Sequence, residues 1–301
     1  MPGPARSDST LRLEAEIARR HTPDFAWPTL LLAAGLFLVC GAASALALAG
    51  VIPLWLAAAV NTVFIYAIYT VVHEAVHSSI SSRRRDLRWI DMPVGALACA
   101  PLWLFFHQHR KSHRVHHART NQDDDPDIYA RGGFLGWCLW RLPRTLLAYF
   151  NPLQLWRECH RFALSARERR ITMASFAVSA AVVLALIASG HGYQLLILWF
   201  IPWWIGQSVM LTLFTWTPHH DHSETGRYRS TRVSVWPAGN ALLLGQGYHL
   251  IHHMIPSVPW YRYESTFREM RPLLERQGVR IEGFWPAAHP AAPASASGRL
   301  S

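Results

Sequence analysis

The chain has 301 residues, of which 51% are hydrophobic and 16% are charged, and it carries a formal net charge of +10 with 17 histidines. No Asp, Glu, Lys or Arg occurs in residues 29–72 or 171–217, which excludes an ordinary soluble domain. Basic residues beside membrane helices explain the net charge, so the sequence does not predict a nucleic-acid partner.

The chain is predicted to begin with a cytoplasmic segment, residues 1–28, whose residues 11–20 form an amphipathic helix at the membrane surface. Since about 20 apolar residues cross a bilayer, the two uncharged stretches predict two helical hairpins. The predicted transmembrane helices are residues 30–49, 53–72, 171–189 and 193–217.

Charge sets the predicted orientation of these helices. The short turns within each hairpin carry no Lys or Arg, whereas residues 78–170 carry 16 Lys and Arg together against eight Asp and Glu. The positive-inside rule therefore places the N-terminus, the middle segment and the C-terminal segment on the cytoplasmic side of a bacterial-type inner membrane. Residues 29–286 are predicted to form one domain, an all-α integral membrane fold with a cytoplasmic helical cap.

The remaining elements are predicted between and after the two hairpins. Residues 92–106 are apolar but contain Pro93, Gly95 and Pro101, and they are too short to span, so a re-entrant or interfacial helix is expected. Helices are predicted at residues 107–119, at several places in 134–169, and at 237–254. The Ala/Pro/Ser-rich residues 287–301 are predicted to be a disordered tail.

Three histidine clusters stand out against this background. They are His73-Glu-Ala-Val-His77, His113-Arg-Val-His116-His117 and His249-Leu-Ile-His252-His253. Residues at i, i+3 and i+4 share one face of a helix, so each cluster can direct imidazoles at a common point. The predicted topology puts all three clusters on the cytoplasmic side, which indicates a metal centre there.

The number of histidines indicates more than one metal. The three clusters supply eight imidazoles, and Pro218-His219-His220-Asp221-His222 offers a ninth, although the sequence does not decide among its three histidines. That is too many for one tetrahedral zinc and suits two metals with open positions. Two irons with labile sites could reduce dioxygen and oxidise an unactivated C–H bond.

Two other interpretations use the same residues. His73-Glu74-Ala-Val-His77 also matches the HExxH motif of zinc proteases, with Glu74 as general base, but that interpretation leaves both HxxHH clusters unexplained. A metal transporter or sensor would place ionisable residues inside its spans, and the predicted spans contain no Asp, Glu or His in their interiors.

These motifs resemble the histidine boxes of the membrane fatty acid desaturase superfamily, which run HxxxH, HxxHH and HxxHH in this order. The stretch from His113 to Asn121 is similar to its HxxHHxxTN signature, and residues 247–263 resemble the third box of desaturase-type beta-carotene hydroxylases and ketolases. Two features differ from the ketolase pattern: His220 stands where Arg is usual, and Leu250-Ile251 inside the third box favours a hydroxylase.

The resemblance implies a set of iron ligands, and further residues are expected to support them, since a metal-bound histidine usually donates its other N–H to a carboxylate or carbonyl. The implied ligands are His73, His77, His113, His116, His117, His249, His252 and His253, with His219 as the ninth. Residues expected to support the ligands are His109, Asn121, Asp125 and His222. No further catalytic residue is expected.

The resemblance also implies an activity. The expected enzyme is an O2-dependent, non-haem di-iron oxygenase that takes electrons from a ferredoxin-like carrier and acts on a lipid-soluble substrate. Hydroxylation of a carotenoid ring, such as that of beta-carotene, is the first expectation. Fatty acyl desaturation and beta-carotene ketolation are the alternatives.

Overall fold

The computed structural model describes residues 8–286, which are mostly helical. Two short parallel strands, β1 (Val233–Ser234) and β2 (Ile281–Glu282), pair with each other. The helices, in chain order, are α1 (Asp8–His21), α2 (Trp27–Leu48), α3 (Leu54–His77), α4 (Asp91–Cys99), α5 (Phe106–Arg119), α6 (134–148), α7 (Pro152–Arg161), α8 (Ala166–Ala188), α9 (Gly192–His219), α10 (Gly239–Leu242), α11 (His249–Met254) and α12 (Tyr263–Arg276). The predicted all-α class is confirmed.

Four helices are long and apolar enough to cross a membrane, namely α2, α3, α8 and α9, as predicted. In their most apolar windows, only 11% of α2 and 6% of α8 is buried within the protein, whereas half of α3 is. The helices α2 and α8 therefore present most of their surface to lipid, and α3 is the central span. The chain is an integral membrane protein.

Close backbone contact fixes α3 against α9. A Cβ on Gly206 would lie 2.7 Å from Ile65 Cγ2 and 2.9 Å from the Thr62 carbonyl oxygen, so only glycine fits this crossing. Nearby, the Asn61 amide of α3 donates hydrogen bonds to Ser44 Oγ of α2 at 3.0 Å and to the Leu198 carbonyl of α9 at 2.7 Å. A polar residue thus joins three spans.

The segment containing α4 breaks before α5, and the two helical parts meet at a bend of 96°. At the break, the Pro101 carbonyl accepts from Trp199 Nε1 at 3.0 Å, and the Leu102 carbonyl accepts from Trp203 Nε1 and Gln207 Nε2, both at 2.8 Å. All three donors belong to α9. The predicted interruption is confirmed, while entry of this segment into the bilayer stays a prediction.

The helix α1 confirms the predicted N-terminal helix, while its position at the membrane surface stays a prediction. Ile17 is buried in a hydrophobic cluster with Phe267 and Met270 of α12, and Glu14 accepts hydrogen bonds from Arg227. The helix therefore docks on the cap. The predicted domain limits stay predictions, and the predicted disordered tail, residues 287–301, lies outside the described residues.

The single helix expected over residues 237–254 is wrong. The structure has α10, then a tight turn through Leu244 and Gly245, a 3₁₀ turn at Gln246–Tyr248, and finally α11. Gly245 has φ +79°, and a Cβ there would clash with the Trp260 carbonyl oxygen. The turn separates α10 from the helix that carries the third histidine cluster.

Candidate metal centre

Nine histidines converge on two neighbouring points beyond the ends of α3 and α9. The ligand atoms within each group all lie within 4.8 Å of one another. We call the first group the five-histidine centre, and its members are His73, His77, His113, His117 and His252. We call the second the four-histidine centre, and its members are His116, His219, His249 and His253.

Each HxxHH cluster is divided between the two centres. In α5, His113 and His117 are four residues apart and face the five-histidine centre, while His116 faces the other. In α11 the pattern is reversed, because His249 and His253 belong to the four-histidine centre and the intervening histidine to the five-histidine one. The clusters therefore tie the two centres together.

The spacing of the ring nitrogens fits shared metal ions. Nε2 of His117 lies 2.9 Å from Nε2 of His252 and 3.2 Å from Nε2 of His113, and Nε2 of His249 lies 3.1 Å from Nε2 of both His219 and His253. Two nitrogens about 2.1 Å from one ion, at a right angle, lie roughly 3 Å apart. Both ring nitrogens of His73 and Nε2 of His77 are buried without a hydrogen-bond partner. Metal binding by these two residues would explain why a buried nitrogen of each ring has none.

Burial also keeps the imidazoles in the form that binds metal. In α11, desolvation lowers the pKa of His249, His252 and His253 well below the usual value for histidine, and neighbouring histidines lower it further. These rings are therefore neutral near pH 7. Neutral imidazole is the ligand for iron, zinc and copper.

Every ring of the four-histidine centre has an oxygen partner at Nδ1. His116 donates to Asp125 Oδ1 at 2.8 Å, His219 to the Ser230 carbonyl at 3.2 Å, and His249 to Gln246 Oε1 at 3.2 Å. The fourth ring, His253, lies 3.5 Å from Thr120 Oγ1 through its Nδ1. Such bonds fix the tautomer that leaves Nε2 free for a metal.

The five-histidine centre is oriented differently. Within residues 8–286, only His252 has an oxygen partner, the hydroxyl of Tyr263, 3.0 Å from its Nδ1. The same hydroxyl donates to Glu74 Oε1 at 3.4 Å. The other four rings are held by packing against one another, with ring centroids of His73 and His113 5.0 Å apart and those of His77 and His117 4.5 Å apart.

Two of the predicted supporting residues contact the four-histidine centre or the residues that hold it. Asp125 accepts from His116, and this hydrogen bond holds the carboxyl pKa below its usual value although burial acts to raise it. Asn121 acts one step further away, since its amide donates to the Ser230 carbonyl at 2.8 Å, which also accepts from His219.

The other two predicted supporting residues lie outside both centres. His109 Nε2 lies 3.4 Å from the Tyr69 hydroxyl and faces a cavity. His222 is buried, which lowers its pKa to about 3, and its ring centroid lies 6.0 Å from that of His219. His220 pairs with Asp221 at 2.9 Å and packs on Trp216. Of the three histidines between Pro218 and Ser223, only His219 therefore lies in a centre.

Glu74, the candidate general base of the protease interpretation, is hydrogen-bonded to residues outside both centres. Its side chain is buried, and Oε1 accepts hydrogen bonds from the Trp260 backbone N–H at 3.2 Å and from the Tyr263 hydroxyl. It therefore supports a ligand. Sequence reasoning missed Tyr263, Gln246 and Thr120, although Gln246 precedes His249 by one helical turn and Thr120 directly follows the second cluster.

A cavity of about 570 Å³ adjoins the centres and reaches His113, His109 and Tyr69. Its apolar wall is built by the break before α5, by α7 and the residue that follows it, and by α9, namely Trp103, Leu104, Phe105, Leu155, Phe162 and Leu211. A much smaller cavity lies between the centres, lined by His73 and His113 from one and by His116 and His249 from the other. Tyr69 and Thr215 line both cavities.

Comparisons with known proteins agree with this arrangement. The sequence matches the profile of the family described as fatty acid desaturase over residues 49–285. It is 26% identical over 207 residues to a beta-carotene ketolase of Paracoccus sp. (strain N81106 / MBIC 01143), covering 66% of this chain and 73% of the relative.

Acyl-lipid desaturases are also among the relatives. The chain is 22% identical over 246 residues to the omega-3 fatty acid desaturase fat-1 of Caenorhabditis elegans, covering 71% of this chain and 59% of that protein. It is 25% identical over 253 residues to the sn-1 acyl-lipid omega-3 desaturase (ferredoxin) of Synechocystis sp. (strain ATCC 27184 / PCC 6803 / Kazusa), covering 74% and 68%.

Proposed function

Because the chain belongs to the fatty acid desaturase family and is a membrane-bound oxidoreductase, we propose that its nine converging histidines hold two iron ions for an O2-dependent oxygenation. The observation that carries this proposal is the pair of imidazole groups, each with its ligand atoms within 4.8 Å of one another, beside a cavity with an aromatic wall. The proposed ligands are the members of the five-histidine and four-histidine centres.

The protein's own residues hold the ligands and shape the cavity. Two bound irons would supply the activation of dioxygen that cleavage of an unactivated C–H bond requires. The buried imidazoles present lone pairs from opposite sides of the small cavity between the centres. Tyr69 and Thr215, which line both cavities, join this gap to the larger cavity, where a substrate carbon would be placed.

We propose that the substrate is a carotenoid whose ring enters the larger cavity. Its volume of about 570 Å³ lies within the range of roughly 300–1,000 Å³ typical of small-molecule sites. Trp103, Phe105 and Phe162 give one part of it an aromatic wall that a hydrocarbon ring could pack against, while charged residues such as Arg141, Arg144 and Glu158 line another part. The identity to a beta-carotene ketolase supports the same substrate class.

The proposed reaction is hydroxylation of a ring methylene. Leu250 and Ile251, inside the third histidine cluster, favour hydroxylation over ketolation, and both side chains are fully buried. Acyl desaturation is the second candidate, supported by the omega-3 desaturases among the relatives. It would use the same ligands and the same cavity.

Electrons are proposed to come from a ferredoxin-like carrier, since the Synechocystis relative is named as a ferredoxin-dependent desaturase. The excess of Arg and Lys in residues 78–170 suits an acidic carrier, because charge complementarity accelerates docking. The positive-inside rule supports a location of residues 78–170, and of the histidine centres, on the cytoplasmic side of a bacterial inner membrane.

Co-expression in bacteria that accumulate beta-carotene, followed by pigment analysis, tests the proposal. Hydroxylated rings would support it, and keto rings would support ketolation. Unchanged pigment together with new double bonds in membrane lipids would replace it with acyl desaturation. Bound metal in the purified protein should be about two irons per chain, and a single zinc with peptidase activity would contradict the oxygenase.

A further inference from the structure

A short chain of hydrogen bonds runs from the five-histidine centre into the protein. His252 Nδ1 lies 3.0 Å from the hydroxyl oxygen of Tyr263, which lies 3.4 Å from Glu74 Oε1. All three side chains are at least 99% buried, with exposures of 0%, 0% and 1%. Neither Tyr263 nor Glu74 belongs to the proposed ligands.

The direction of the protons along this chain follows from its far end. Glu74 Oε1 also receives the backbone N–H of Trp260 at 3.2 Å, so this oxygen is an acceptor. The Tyr263 hydroxyl therefore donates to Glu74, and its lone pairs remain for a donor. The donor is His252 Nδ1–H, which leaves the lone pair of His252 on Nε2.

We propose that Tyr263 and Glu74 are positioning residues that fix the tautomer and ring orientation of His252, and with them metal binding at the five-histidine centre. This inference rests on the proposed metal centres. Nε2 of His252, 2.9 Å from Nε2 of His117, is the atom left free to bind. Without the acceptor on Glu74, the Tyr263 hydroxyl could donate to Nδ1 instead, and the resulting Nε2–H tautomer cannot bind a metal.

The relay acts where the centre has no other support of its kind. Within residues 8–286, His73, His77, His113 and His117 have no oxygen acceptor at a ring nitrogen, whereas every ring of the four-histidine centre has one. Loss of the relay should therefore weaken one metal site and spare the other. A general defect in folding would affect both.

Tyr263→Phe removes the hydroxyl and keeps the buried ring. Tyr66→Phe is the matched control, because it also deletes one tyrosine hydrogen bond, to the Leu242 carbonyl at 2.8 Å, and its ring packs on Phe214. The full chain in detergent, stripped of metal, is titrated anaerobically with Fe²⁺ against a competing chelator. Wild type and Tyr66→Phe should bind two irons alike, and Tyr263→Phe should bind one normally and the other about 10- to 100-fold more weakly.

Mössbauer spectra of the ⁵⁷Fe-loaded proteins give a second readout independent of turnover. One of the two iron signals should change in Tyr263→Phe, and both should be unchanged in Tyr66→Phe. Two irons bound by Tyr263→Phe with wild-type affinity and spectrum would overturn the inference and leave the oxygenase proposal standing. Equal weakening of both irons would also overturn it. A wild-type protein that binds no iron would instead remove the proposed function and the inference together.

Substitutions at Glu74 test the relay without altering Tyr263. Glu74→Gln keeps an oxygen that can accept from both Trp260 N–H and Tyr263, and it should bind both irons almost as wild type does. Glu74→Leu removes the acceptor and should reproduce the loss at one iron seen in Tyr263→Phe. Equal iron binding by these two variants would contradict the role of Glu74.

Discussion

The two centres orient their imidazoles by different means. The four-histidine centre draws its ligands from α5, the C-terminal end of α9 and α11, and an oxygen atom holds Nδ1 of each ring. The five-histidine centre takes His73 and His77 from one turn of α3, a buried transmembrane helix, and it has one hydrogen-bonded relay. Packing against neighbouring rings orients His73 and His77 on their helix, whereas His252 and all four rings of the other centre also have a directional bond to an oxygen atom.

The largest expected effect is the loss of a ligand. His116→Ala should abolish oxygenation and remove the iron of the four-histidine centre, because His116 is one of its four members. Product analysis and iron content measure both effects. His220→Ala is the control, since His220 lies nearby but outside both centres, and it should keep activity and two irons. An active His116→Ala protein would remove His116 from the ligands.

A smaller loss is expected at the partner of His116. The Asp125 carboxylate accepts hydrogen bonds from His116 Nδ1–H at 2.8 Å and from the Asn121 backbone N–H at 2.7 Å. In Asp125→Asn one of these oxygens becomes an NH₂ group, which cannot accept, so one of the two bonds is lost. Iron at the four-histidine centre should bind about 10- to 100-fold more weakly. Combined with Tyr263→Phe, the two losses should be additive and affect different irons, as a chelator titration of the double variant would reveal.

Activity should also be separable from metal binding at either centre. Ala148 lines the larger cavity from α6, which carries no histidine, and Ala148→Phe should obstruct the cavity. The catalytic efficiency kcat/KM should fall by about tenfold or more, a typical result of one bulky group in an apolar pocket. Iron content should stay at the wild-type value, and its loss would indicate that the cavity is not independent of the centres.

The smallest expected effect concerns α1, which lies outside both centres. Hydrogen bonds from His21 and Arg20 lower the pKa of Glu269 from its ordinary value of 4.5. A lowered carboxyl pKa adds stability above the unfolded value, and this stability is lost as pH falls through the folded value. In Glu269→Gln the stability against thermal unfolding should therefore fall less than in the wild type as pH drops below about 4.5. The difference in the free energy of unfolding should be under about 1 kcal/mol, because the pair is exposed. Iron binding should not change.

Much of the fold and of the site could be predicted from local sequence. Uncharged stretches of sufficient length predict spans without knowledge of their partners, and α3 continues into His73 and His77 as expected. The eight histidines of the three clusters were identifiable because their spacings place them on helix faces, whereas His219 was named from the family resemblance alone. Their convergence into two groups could not be derived from spacing, since it depends on how α5 and α11 face each other.

The errors and omissions have the same physical origin. The helix expected over residues 237–254 is interrupted because Gly245 approaches the Trp260 backbone, a contact between segments. Tyr263 lies in an aromatic stretch whose pattern predicts packing, and its hydrogen bond to His252 depends on tertiary placement. Asp125 was identified as a supporting residue because a carboxylate close in sequence to a histidine cluster has a short path to it.

The break before α5 has a mechanical consequence. The carbonyls of Pro101 and Leu102 are anchored by three side chains of the fourth span, and α5 begins at Phe106, two turns ahead of His113. A change in lipid thickness that tilts or shifts this span would be transmitted through those anchors to the start of the ligand helix. The acyl-chain length of the surrounding membrane is therefore expected to change the affinity of the proposed centres for metal.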